Sequence, residues 1–224
     1  MSTWISRALI VLAAGGLLAA CQPGATGGQA TRSIAVMGGA LTIAGPAGYC
    51  IDRTASRSGP DGAFVLLGSC ASLGRSLSFG SPRYPAVLTV SILPGAPEAA
   101  TFAQSFDAID AFFRSEAGRR ALARSGEAAK VAVLQSEKRG DVLFLRVRDQ
   151  SQDEGRRVEP EYWRAIFALR GQIVTASALS VPERPVPQTA KRRILEELIA
   201  RLVAANPVAK DIGSADLSPE ESNG

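Results

Sequence analysis

Two pairs of apolar segments, each joined at an Arg-Gly step, constrain this chain most. "KVAVLQSEK" (130–138) turns through Arg139-Gly140 into "DVLFLRVRD" (141–149), and "EYWRAIFALR" (161–170) turns at Gly171 into "QIVTASALSV" (172–181). Short runs rich in β-branched and aromatic residues, hinged on glycine, predict β-hairpins. Hairpin strands pair antiparallel, so the sheet they build is largely antiparallel and must bury at least one face.

Further strands are expected upstream. "LTIAG" (41–45) reads as a strand, and "GYCID" (48–52) continues it after a kink at Gly45-Pro46. "TASRSGPDGA" (54–63) is rich in turn residues and reads as a loop. "AFVLLGSC" (63–70) suits a buried strand. In "AVLTVSIL" (86–93), Leu88, Val90 and Ile92 alternate with Thr89 and Ser91, as in a half-buried strand. Two amphipathic helices complete the pattern. One runs over about residues 104–124 and ends near Gly126, with Phe102, Phe106, Ile109, Phe113 and Leu122 near one stripe. Asp107 and Asp110 sit early in it and Arg119, Arg120 and Arg124 late, which suits the helix dipole. The other runs over about residues 189–205, with Ile194, Leu195, Leu198, Ile199, Leu202 and Val203 at helical period, and Asn206-Pro207 ends it. The expected fold class is α+β: a largely antiparallel sheet covered by two amphipathic helices, an α/β/α sandwich.

The N-terminus carries a different message. "MSTWISR" holds one positive charge, Arg7, and is followed by 13 apolar or small residues, "ALIVLAAGGLLAA", and then by Cys21. A run of that length is too short for a spanning helix, which needs roughly 20 residues, and fits a secretory leader. Leu18-Ala19-Ala20-Cys21 resembles the lipobox of bacterial lipoproteins. The resemblance implies a leader cut before Cys21, a diacylated thiol and a membrane anchor through the N-terminal lipid. Gln22 rather than Asp follows the cysteine, which by the same resemblance favours the outer membrane, facing the periplasm. The expected organisation is a signal peptide (1–20), a lipidated cysteine and flexible tether (21–37), one α+β domain (38–207) and a polar disordered tail (208–224).

Cys50 and Cys70 close two neighbouring strand candidates. In an oxidising compartment a disulfide is the default, worth about 3 kcal/mol for a loop of this size in the chain-entropy model. Free buried thiols are the alternative reading.

The strand order also resembles the Mog1/PsbP-like fold. "LTIAGPAGY" (41–49) stands where that family has an early L-x-I-x-x-P-x-G-aromatic segment, and "ILEELIARLVAANP" (194–207) matches its C-terminal helix ending near Asn-Pro. The family mostly supplies binding, assembly or accessory domains, so the resemblance implies a non-catalytic role.

The chain contains no histidine, which excludes histidine triads, histidine-ligated zinc and histidine acid–base chemistry. No cofactor is expected: "VMGGAL" has no phosphate-loop lysine, and two cysteines without histidine make a poor metal site. Asp107 and Asp110 read as helix-end residues rather than a carboxylate pair. Asp149, Asp153 and Glu154 in "DQSQDEG" lack the ligand order of a calcium loop. Lys191 lies on the last helix, and no SxxK motif supports Ser-Lys catalysis. The net charge of +4 is spread as 25 Lys and Arg among 21 Asp and Glu, so no nucleic-acid surface is expected. Arg146, Arg148, Arg164 and Arg170 alternate with apolar residues on strands, and several are expected to share a face with Tyr162. Such a face reads either as an anionic-ligand or protein-binding surface, or as a solvated face of cross-strand ion pairs. The functional expectation is an envelope adaptor or accessory lipoprotein, with an envelope protein as partner. The alternatives are a small anionic-ligand binder and an envelope hydrolase with a carboxylate or metal site.

Overall fold

The computed structural model describes residues 31–74, 81–151 and 158–207. The expected leader, Cys21, most of the tether and the tail from 208 lie outside the described residues. The strands are β1 (Ser33–Val36), β2 (Leu41–Ala44), β3 (Tyr49–Gly59), β4 (Gly62–Ser69), β5 (Val87–Pro94), β6 (Val131–Arg139), β7 (Val142–Asp149), β8 (Glu161–Leu169) and β9 (Gln172–Leu179). The helices are α1 (Ala99–Gln104), α2 (Phe106–Arg114), α3 (Glu116–Leu122) and α4 (Gln188–Ala205). The fold is mixed α+β, with a seven-stranded sheet ordered β3-β4-β5-β9-β8-β7-β6 and a separate β1-β2 hairpin. Every pair is antiparallel.

Both hairpins close in tight two-residue turns: in the first, Arg139 pairs with Val142 and Gly140-Asp141 form the turn. In the second, Leu169 pairs with Gln172, and between them Arg170 (φ 49°) and Gly171 (φ 71°) both adopt left-handed backbone, as a type I′ hairpin requires. β5 and β9 then zip the two halves of the sheet together, from Val87 opposite Leu179 to Pro94 opposite Gln172.

The period-2 alternation sorts side chains to two faces. On the first, Val65, Leu67, Leu88, Val90, Val174 and Ala176 are fully buried, and the α4 stripe of Ile194, Leu195, Leu198 and Leu202 lies against them. Each leucine of this kind stabilises by about 1.5–3 kcal/mol. Val36, Leu41 and Ile43 of the β1-β2 hairpin close the same layer. Asn206, at the end of α4, ties the two elements: its amide accepts from Thr42 N at 2.8 Å and donates to Thr42 O at 2.7 Å. Cys50 and Cys70 are joined in a disulfide at the β3-β4 end of the sheet, with Cα atoms 4.8 Å apart.

On the second face, Phe102, Phe106 and Leu122 of α1–α3 cover Leu143, Leu145, Val147 and Ile166. Here the expected single helix over 104–124 is corrected to three short ones. Ser105 separates α1 from α2, and Ser115 separates α2 from α3. Ser115 takes extended backbone, accepts from Gly118 N at 3.2 Å and donates its hydroxyl to Phe112 O at 2.6 Å. Serine is as compatible with a cap as with a helix interior, so the apolar stripe alone does not reveal the breaks.

Three more expectations change. Among the described residues there are four α-helices rather than two. The segment expected as a loop over 54–63 is mostly strand: β3 runs to Gly59, and only Pro60 and Asp61 form the turn. Its outer half is exposed and bulged between Asp52 and Arg57, so no alternation marks it. Finally, Ser33–Val36 pair with β2, so the fold begins before the expected boundary at residue 38.

Gly118 is where α3 meets the end of α2. A Cβ there would lie 1.9 Å from Phe112 O, a backbone atom. In a free helix Gly→Ala gains about 1 kcal/mol; here the overlap dominates. Gly118→Ala should cost about 2–3 kcal/mol, read as a lower urea midpoint with unchanged slope. An unchanged or raised midpoint would show that α2 and α3 do not meet this way.

Candidate ligand-binding trough

Among the described residues, the second sheet face is only half covered. α1–α3 lie over β6, β7 and β8, while the outward residues of β4, β5 and β9 stay partly open: Phe64, Leu66, Val87, Thr89, Ser91 and Ser177's neighbour Leu179 are at most partly buried. A recess of about 340 Å³ opens there, floored by Leu66, Val87, Thr89 and Leu179, and walled by Leu122 and Tyr162. A second depression of about 520 Å³ adjoins it toward the β3-β4 turn, bounded by Arg57, Asp61 and Leu93. Phe64 lines both, and we call the two together the trough. Its size lies in the range of small-molecule sites.

Two arginines line the inner recess. Arg164, on β8, donates from Nε to Ser177 Oγ at 3.2 Å and stacks its guanidinium 5.4 Å from the centre of the Tyr162 ring. Among the described residues no carboxylate lies within ion-pair distance of it. Arg124, just beyond α3, is held by Asp149, which is fully buried. Its Nε lies 3.2 Å from Asp149 Oδ2, its backbone N donates to the same oxygen at 3.0 Å, and Nη2 donates to Asp149 O at 2.9 Å. Nη1 is buried without a hydrogen-bond partner among the described residues.

The four strand arginines do not converge. Arg146 pairs in register with Trp163, and Arg148 with Glu161, so both point to the α4 face, opposite Tyr162 and Arg164. They share one carboxylate: Arg146 Nη2 lies 2.6 Å from Glu161 Oε2, and Arg148 Nη2 lies 2.6 Å from Oε1. The bonds from Arg148 and then Arg146 outweigh desolvation and hold the Glu161 carboxyl below its usual range. Arg170 sits in the β8-β9 turn and donates to Pro207 O at 2.9 Å. Of these four, only Arg164 faces the trough. Asp107 and Asp110 do not meet either: Asp107 pairs with Lys138, and Asp110 with Arg114 at 2.9 Å. Asp153 and Glu154 lie outside the described residues.

A polar cluster that the sequence reading missed centres on Lys191. It is fully buried, and its Nζ donates to Glu159 Oε2 at 2.7 Å and to the Glu161 carbonyl at 2.8 Å. Ser180 Oγ donates to the same Glu159 oxygen. Serine, lysine and carboxylate together suggest nucleophilic chemistry, but Ser180 and Lys191 are both wholly inaccessible, so no substrate reaches them. The cluster is a structural latch between the start of α4 and the ends of β8 and β9. Its signal was available: position 191 lies on the apolar stripe of α4, in phase with Ile194, Leu195, Leu198 and Leu202.

Burial pushes the Glu159 carboxyl up, but the hydrogen bonds from Lys191 and Ser180 and the lysine charge outweigh it, and the net shift is down. A carboxyl depressed in the folded state stabilises fully above its unfolded pKa, and that contribution is lost as pH falls through the folded value. Glu159→Gln should therefore lose about 3 kcal/mol at neutral pH and show a flatter fall in melting temperature between about pH 5 and pH 3. Parallel pH profiles for variant and parent would contradict the latch.

No family model, curated protein or solved structure matches this chain.

Proposed function

We propose that the chain is a lipid-anchored accessory module of the bacterial cell envelope, held through acylated Cys21 on the periplasmic face of the outer membrane, which acts by binding rather than by catalysis. The anchor rests on Leu18-Ala19-Ala20-Cys21 behind its apolar run. The Cys50–Cys70 disulfide fits an oxidising compartment. The domain is read as a Mog1/PsbP-like α/β/α sandwich; in its support, "LTIAGPAGY" supplies β2 and the start of β3, and α4 ends at Asn206. The observation that carries the binding reading is the half-covered sheet face, an open apolar trough with arginines at its inner end. A partner segment or a ligand gains by covering such a surface. A second reading, a small anionic-ligand binder, is favoured by one observation: Arg164 faces that trough without a carboxylate among the described residues.

The test is made in intact cells. The tagged chain should incorporate labelled palmitate and fractionate with the outer membrane, and crosslinking should recover one abundant envelope protein. Cys21→Ser should abolish the label and lose that protein. A Cys21→Ser chain that still labels would overturn the anchor. An anchored chain that crosslinks to nothing above background would overturn the adaptor.

A further inference from the structure

The trough has a polarity gradient set by strand register. Arg164 pairs with Ser177, Ser177 with Thr89, and Thr89 with Leu66. These four therefore stand in one row across β8, β9, β5 and β4, on one face. Three strand spacings make that row about 14 Å long. Its polar end holds Arg164, Ser177 and the Tyr162 ring. Its other end is Leu66, flanked by Val87 and Phe64.

Charge decides what fits. Arg124 is neutralised by buried Asp149, and at the outer depression, which Asp61 also lines, Arg57 stacks 4.9 Å from the centre of the Phe64 ring. Among the described residues, Arg164 supplies one excess positive charge at the inner end, with Nε already committed to Ser177. Its two terminal nitrogens form the donor fork that a carboxylate accepts in a bidentate pair. We infer that the trough binds a long-chain fatty acid, with the carboxylate on Arg164 and the alkyl chain running over Val87 and Leu66 toward Phe64. A singly charged carboxylate balances the single excess charge, which a dianionic phosphate monoester exceeds. The alkyl chain covers apolar surface that the helices leave open. This inference rests on the binding reading above, and it is independent of the anchor and of any protein partner.

The experiment uses the full chain carrying Cys21→Ser, with laurate as the probe and calorimetric titration as the readout, so it is untouched by failure of the membrane assignment. Laurate should bind at one site. Acetate and dodecanol should each bind at least tenfold more weakly, because one lacks the chain and the other the charge. Arg164→Gln should weaken laurate by roughly tenfold or more and leave dodecanol unchanged. Thr89→Tyr, which fills the middle of the row, should weaken laurate and dodecanol together. Equal binding of acetate and laurate would overturn the proposal, as would unaltered laurate binding by Arg164→Gln. Tighter binding of dodecyl phosphate than of laurate would reassign the head group and overturn the fatty acid.

Discussion

A seven-stranded antiparallel sheet has two faces to shield, and this chain has helices enough for about one and a half. The first face is sealed by the long apolar stripe of α4 and by the β1-β2 hairpin, and nearly every side chain there is wholly buried. Among the described residues, the second is sealed only where α1–α3 lie over β6–β8. The hydrophobic effect scales with apolar area removed from water, so the open quarter over β4, β5 and β9 leaves stabilisation unclaimed. The candidate site follows from that shortfall.

The layers are held in register by polar seams at their edges. Asn206 bonds both backbone groups of Thr42, as a neighbouring strand would. Lys191 gathers Glu159 and the Glu161 carbonyl at the other end of α4. Asp149 fixes Arg124 and the chain leaving α3. Tyr49, buried under the same layer, donates to Tyr84 O at 2.5 Å and accepts from Ala86 N at 3.2 Å; burial pushes its hydroxyl up to about 12, so it stays a neutral donor. Losing one partner of such a seam leaves a buried group unpaired, which costs about 1–3 kcal/mol. Apolar packing alone tolerates sliding; these groups do not.

Legibility in the sequence tracked local physics. β4 through β9 and α4 were readable because burial on one or both faces imposes a period, and glycine marks the turns. The outer half of β3 was not, because an edge strand exposed on both sides carries no alternation. The breaks at Ser105 and Ser115 were not, because a serine cap and a serine within a helix look alike. The arginines turned on a single-residue question. Arg146 and Arg148 share a face with Tyr162 in one register of β7 against β8 and point away from it in the next. The connection from Gln150 to Pro160 is too long to fix that register, and the observed pairing of Arg146 with Trp163 sends them to the α4 side. Lys191 was legible in position but not in consequence: its phase placed it inside, and only the fold supplies Glu159.

The central claim is that the two faces of β5 differ, one sealed and one open. The most direct measurement compares thiol labelling of Leu88→Cys and Thr89→Cys, adjacent residues on opposite faces, in the natively folded protein. Leu88 is wholly buried and Thr89 only partly so. The account predicts that Thr89→Cys reacts with a maleimide at nearly the rate of an exposed thiol, whereas Leu88→Cys reacts only as fast as the protein unfolds. Equal protection of both positions would mean that the second face is sealed, and the trough would not exist.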